Sequence, residues 1–309
     1  MHAIADTQQL LSDGVITQDQ KREIEARARE TMVSLAINAV LCFGIIAATA
    51  GLIFWLADAL YVAVFGALAF AGGLVILARS SETYRMFGNA AALIGAGMLI
   101  GGAAVELLSA YEDQAHWVLL LLGAFVAGGA FFAWKRMQTA RFVTGALLLM
   151  GVAAHLGGLA LLLIAYDTSG VLVALSYLYA AAVMLIAGLI TDVRLVTAAA
   201  VVPFAQALDT GTFYFHAAYV FYSPEPTLSI VQMAVLVIIC LWIARHWPER
   251  VARHARVLAV LGFVVGNLCA LVGSLFGDYV GESVWGPHRW RETDMEWEEY
   301  EALRDAFQA

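Results

Sequence analysis

Five polar residues stand inside long apolar stretches of this 309-residue chain: Glu106, His155, Gln206, Asp209 and Asn267. Charge is costly in a hydrocarbon interior, so such residues normally face a partner or a polar cavity and mark candidate sites. The carboxylates of Glu106 and Asp209 offer oxygen ligands, and the imidazole of His155 changes charge near neutral pH. Gln206 lies three residues before Asp209 on nearly the same helical face, and Asn267 adds an amide. Converging, they would form an acidic polar pocket able to bind a cation or pass a proton. A plainer reading of the same residues is a hydrated interfacial Glu106, a His155 that bonds a neighbouring helix, and an Asp209 that caps a helix end.

Other chemistries find little support. No HxxxH occurs, and the one HxxE, His246 to Glu249, runs through Pro248, so no metal site is expected. GxSxG, the phosphate-binding P-loop, HExxH and a strand-borne GxGxxG are missing, so neither an enzyme nor a cofactor is expected. Cys42, Cys240 and Cys269 all fall inside apolar runs without CxxC spacing. Basic residues are scattered, with RHWPERVARHAR the densest cluster, and no basic aromatic groove for nucleic acid is present.

The elements that must position the five polar residues follow from composition. Hydrophobic residues make up 62% of the chain and charged residues 14%, with a mean hydropathy of +0.79, well outside the soluble range. Apolar runs long enough to cross a hydrocarbon core about 30 Å thick recur along the chain. The expected class is an all-α polytopic transmembrane bundle of about nine spans: 31–57, 60–78, 86–110, 116–134, 142–165, 170–190, 195–222, 227–244 and 257–277.

Residues 1–30 form a soluble leader, in which Thr17 and Gln20 have capping-box spacing. Residues 31–277 form the membrane domain. Residues 278–309 form an acidic tail that accounts for much of the net charge of -8. No signal peptide precedes the first span.

Lys and Arg fall only in alternate connections, 14 against none, with Arg289, Arg291 and Arg304 in the tail. That alternation places the N-terminus in the cytoplasm and the C-terminus outside. Helical rise then puts Glu106, His155 and Asp209 about 31, 21 and 22 Å beyond the basic residue that opens each span, all in the outer half. Trp117 and Trp134 bracket the fourth span as interfacial residues do.

The seventh segment is irregular. Leu195 to Leu208 covers only about 21 Å, whereas 195–222 would reach about 42 Å. Pro203 and Asp209-Thr210-Gly211 are therefore expected to break it, leaving the aromatic stretch TFYFHAAYVFY at the outer interface.

A repeat is legible too. Arg85, Gly95, Gly101 and Gly102 match Arg141, Gly151, Gly157 and Gly158 at a constant offset of 56, and Arg256, Gly266 and Gly273 keep nearly the same spacing. Ordinary glycine packing and duplicated hairpins both account for it. In the tail, Trp297, Tyr300, Leu303 and Phe307 form one apolar stripe on an acidic helix, suited to docking on the chain's own loops or on a protein partner.

Two stretches, LLSDGVITQDQKREIEA and AALIGAGMLIGGAAVELLSAYEDQAHW, resemble the bacterial membrane proteins grouped as domain of unknown function 2157. The resemblance covers roughly the first 135 residues. This chain reads LADAL where that family has an Asn-Trp pair, and has Glu106 in place of a glutamine. The resemblance implies a multipass protein of the bacterial inner membrane with a cytoplasmic leader, and no activity. The expectation from sequence is a non-catalytic scaffold, sensor or assembly factor, contacting the bilayer and a protein partner through the tail helix or leader. A small-solute or ion permease is the alternative.

Overall fold

A computed structural model describes residues 7–28, 51, 58–79, 85–136, 140–215, 218–278, 280–281 and 297–308. The chain divides into two compact units, Met1–Glu106 and Leu107–Ala309.

In the first unit, helix α1 (Thr7–Ser12) closes at Gly14, whose φ of +68° suits glycine. Helix α2 (18–28) then starts on the expected capping box. The Thr17 N–H donates to Gln20 Oε1 at 2.9 Å, and the Gln20 N–H donates to Thr17 Oγ1 at 3.3 Å. Lys21 Nζ reaches back to Gln8 at 3.3 Å and ties the two helices together.

Among the described residues, seven helices are long and apolar enough to cross a membrane. They are α3 (Ala59–Arg79), α4 (Arg85–Ala110), α5 (Glu112–Arg136), α6 (Arg141–Ala165), α7 (Val171–Thr191), α10 (Pro226–His246) and α11 (Glu249–Phe276). They correspond to seven of the expected spans. The expected span at 31–57 lies outside the described residues except for Gly51. Helix α11 begins eight residues earlier than the expected 257, because Pro248, at φ -52°, serves as its N-cap and the basic ERVARHAR stretch forms its first two turns.

The seventh expected span, 195–222, is corrected. Its residues form α8 (Arg194–Ala199), α9 (Val201–Gln206), and strands β1 (Gly211–Phe215) and β2 (Ala218–Tyr222), which pair antiparallel with Gly211 opposite Tyr222. Pro203 has no N–H to offer the carbonyl of Ala199, and α8 ends there. Asp209, at φ +53°, turns the chain out of α9, and the β-branched and aromatic residues that follow favour pairing over another helical turn. The all-α expectation fails at this hairpin.

Small residues set the closest helix contacts. In the α5–α6 hairpin, a Cβ on Gly151 would lie 2.5 Å from the backbone nitrogen of Ala127, while Gly158 and Gly123 lie directly on the backbones of Leu120 and His155. In the α3–α4 hairpin Gly95 lies on Phe70, and Gly102 would meet Ala59 O at 2.7 Å and Ala63 N at 2.8 Å. The second helix of each hairpin thus uses glycines seven residues apart against positions seven residues apart on the first. Gly101 and Gly157, the other half of each Gly-Gly pair, have open space around them. In α10–α11 the same spacing recurs, with Gly266 over Met233 and Gly273 over Pro226, but the gaps widen to 3.4 and 3.0 Å. The sequence repeat is therefore a repeat of contacts.

Within the second unit, α8 and α9 pack beside α7 and α11, with Val201, Cys240, Ala255, Leu258 and Ala259 buried together. A second cluster joins Ala130, Leu148 and Ala187 of α5, α6 and α7. The tail helix α12 (Trp297–Gln308) leaves Leu303 of its apolar stripe 45% exposed.

Candidate functional site

The break in the seventh segment has a polar hollow beside it. Helix α9 ends at Gln206, so its last carbonyls need donors from elsewhere. The Leu208 N–H donates to Ala205 O at 3.1 Å, the Asp209 N–H to Gln206 O at 3.0 Å, and Gln232 Nε2 of α10 to Phe204 O at 2.7 Å. Asp209 thus ends the helix in the left-handed region, as Asp167 and Asp192 do after α6 and α7. Aspartate tolerates this conformation better than most residues.

A cavity of about 340 Å³ opens beside this turn, lined by Ser169, Gly170, Gln206, Asp209 and Glu225 among others. Glu225 is the N-cap of α10, held by the Pro226 that follows it, and is fully buried. Its Oε2 accepts the Gly281 N–H at 2.7 Å, and the Thr227 N–H donates to Asp278 Oδ2 at 2.7 Å. The start of α7, the end of α9, the start of α10 and the end of α11 therefore share one end of the unit.

A buried hydroxyl cluster anchors the hairpin at that end. Thr210 Oγ1 lies 2.9 Å from Ser223 Oγ and 2.7 Å from Ser229 Oγ, joining both ends of the β-hairpin to α10.

Of the five residues singled out from sequence, the fold brings Gln206 and Asp209 to this cavity. His155 is engaged elsewhere. Its Nδ1–H donates to Leu120 O at 2.8 Å, which leaves Nε2 to accept the Tyr179 hydroxyl at 2.7 Å. Asn267 is exposed and donates to Phe263 O of its own helix at 2.7 Å. Glu106 is half-buried and closes the first unit. The carboxylate that joins Asp209 is Glu225, which sequence reasoning passed over as a loop residue. Its signal was the Glu-Pro pair just before an apolar run, an N-cap followed by proline at the first helical position.

A second constellation stands at the opposite end of the unit. His254 of α11, 1% exposed, places Nε2 2.9 Å from Asp192 Oδ1 and Nδ1 2.6 Å from Thr197 Oγ1. Arg250 donates to the carbonyls of Leu189 and Ile190 at 2.6 and 2.8 Å, capping the C-terminus of α7, and Arg253 lies 3.5 Å from Asp192. Gly188 makes room for the Thr197 hydroxyl. The Asp–His–Thr order resembles a nucleophilic triad, but Thr197 is fully buried and no substrate could reach it. The constellation is a clasp joining α7, α8 and α11.

The hydrogen bond from His254 holds the Asp192 carboxyl below its ordinary 3.8, with Arg253 and Arg250 adding to the effect against a smaller opposing effect of burial. Because the folded-state value is depressed, the stability this group adds is complete above 3.8 and disappears as pH falls through the lower folded value. The difference in melting temperature between wild type and Asp192→Asn should therefore stay level from pH 7 to about 4 and shrink only below that. A difference already lost between pH 7 and 5 would contradict the assignment.

The fold and these sites define a mostly helical, multipass membrane protein. No family model, curated protein or solved structure matches the chain.

Proposed function

We propose that the chain is a non-catalytic membrane sensor or assembly factor that takes a small, positively charged ligand into the hollow at Asp209. One observation carries this reading. Where a hydrophobic segment is interrupted, Asp209, Gln206, Ser169 and the buried Glu225 line a single cavity large enough for a small solute. The net charge of that lining is negative, so a cation complements it.

We further propose nine crossings, with the seventh made of α8–α9 and the hairpin, the N-terminus in the cytoplasm and the cavity outside. In support, basic residues close α3, α5 and α10 but not α4, α6 or α11, as expected of a bundle read from a basic side; α7 has none in its last turn, and Arg194 follows it at the start of α8. Residence in a bacterial inner membrane rests on the resemblance of the first 135 residues. The tail helix, with Leu303 exposed, is the proposed contact for a protein partner.

A permease is the second reading, favoured by the interrupted α8–α9 element, since discontinuous helices build many transporter sites. Thermal melts of the purified protein against a panel of small amines and cations test the proposal. A ligand at about a hundred times its Kd should stabilise by ~2.7 kcal/mol. Asp209→Asn, which keeps the left-handed turn, should erase that shift. Concentrative uptake of the same ligand into proteoliposomes would transfer the conclusion to the permease, and a panel in which nothing binds would remove the ligand site.

A further inference from the structure

A second hollow lies next to the one at Asp209. Val173 of the first and Tyr177 of the second stand one turn apart on α7, and Gln206 and Pro203 stand one turn apart on α9. Tyr177 and Pro203 belong to this second hollow of about 400 Å³, an almost wholly apolar groove between α6, α7 and the α8–α9 element, with Leu163 and Met184 in its wall. On α7 the groove runs from Ser176 to Met184, about 12 Å of helix. A single leaflet of hydrocarbon is about 15 Å deep, half of the bilayer core. The groove is open to the side, because Ala160 in its wall is exposed and Val202 is 64% exposed. A mouth that holds Asp209 and Glu225 thus lies one helical turn from an apolar groove about as long as one leaflet is deep, with an exposed side wall.

We propose that the ligand is an amphiphile with a protonated primary amine in its headgroup, the ammonium seated at Asp209 and one acyl chain lying in the α6–α7 groove. This rests on the cationic-ligand reading above and narrows it from any small cation to an aminolipid. Asp209, Gln206 and Ser169 all line this mouth, and each has a side-chain oxygen able to accept one of the three N–H donors of an ammonium. A quaternary ammonium has no such donors, and an anionic headgroup would face Asp209 and Glu225 unfavourably. Entry needs no gate, since the groove opens sideways to the lipid.

The purified full-length protein in detergent micelles, titrated with phosphatidylethanolamine, phosphatidylcholine or phosphatidylglycerol and read by native mass spectrometry, tests this. Phosphatidylethanolamine should be retained about tenfold better than either other lipid, the factor expected for one charge-assisted hydrogen bond. Asp209→Asn should erase that preference while leaving total lipid retention similar. Ala160→Trp, which fills the groove from its exposed wall, should abolish retention of phosphatidylethanolamine, with an unchanged melt showing that the fold survives. Equal retention of the three lipids overturns the proposal, as does an Asp209→Asn protein with undiminished selectivity. A parallel arm with free ethanolamine separates the two readings. If ethanolamine alone stabilises the protein as much as the lipid does, the cationic site stands and the acyl-chain groove falls. If neither ligand has an effect, both fall.

Discussion

Gly158→Leu is expected to destabilise the protein by on the order of 3 kcal/mol or to prevent its accumulation, whereas Gly157→Ala one residue away should be neutral or mildly stabilising. A Cβ on Gly158 would overlap the backbone nitrogen of Leu120, and one on Gly151 would come within 2.5 Å of the backbone nitrogen of Ala127. The end of a flexible side chain can swing aside, but a helix backbone cannot, so the α5 and α6 axes would have to separate. Separation would also break the 2.8 Å bond from His155 to Leu120 O, because Gly123 is what lets the two backbones approach there. Between membrane helices van der Waals packing supplies most of the association, since lipid tails solvate apolar side chains as well as a neighbouring helix does.

Gly157 has nothing within 4 Å, so alanine there adds helix propensity worth up to about 1 kcal/mol and meets no obstacle. The same contrast should appear in the first hairpin, with Gly102→Leu damaging and Gly101→Ala tolerated. Thermal melts in detergent decide the matter. Equal melting of Gly158→Leu and Gly157→Ala would show that the close approach is unimportant.

This contrast also explains how much of the fold was legible. Periodic constraints can be read from a chain without knowing which partner each residue meets. Apolar length located seven spans, and the 56-residue offset located two glycine-built hairpins, because each is a local pattern repeated at fixed spacing. The break in the seventh segment was legible too, since 195–222 is too long for one crossing and Pro203 with Asp209 supplies a place to stop. The hairpin was not. Its aromatic residues suit an interfacial helix as well as a pair of strands, and strand pairing is decided by residues that meet only after folding.

The site shows the same division. Asp209 was conspicuous because it interrupts an apolar run, whereas Glu225 and His254 lie beside such runs and read as ordinary loop residues. Their burial comes from contacts 56 and 62 residues distant, to Gly281 and Asp192. His155, by contrast, looked functional from its depth and satisfies both ring nitrogens within the helix packing.

His254→Ala should cost about 3 kcal/mol, far more than any other change in the basic stretch that opens α11. The imidazole is 1% exposed and bonded at both nitrogens, so its removal leaves the fully buried Thr197 hydroxyl without its 2.6 Å partner and opens a void between α7, α8 and α11. Arg256→Ala is the internal control. That residue pairs at 2.9 Å with Glu249, but the two side chains are 53% and 67% exposed, and an exposed pair contributes at most about 1 kcal/mol.

A second substitution separates hydrogen bonding from simple loss of volume. In His254→Leu the buried Thr197 hydroxyl is orphaned, and in His254→Leu with Thr197→Val both polar partners are gone. If the bond is what matters, the double variant should melt above the single one, because an unpaired buried hydroxyl is worse than none. A double variant no better than His254→Leu would mean that packing alone holds this end together. Since α8 is only six residues long and its continuation through α9 is tied by Gln232 and Thr210, loosening its Thr197 end leaves the interrupted segment held from one side only. The clasp at His254 and the hollow at Asp209 are therefore two ends of one element. His254→Ala should weaken ligand binding at Asp209 as well as lower the melting temperature, although the clasp and the hollow share no residue.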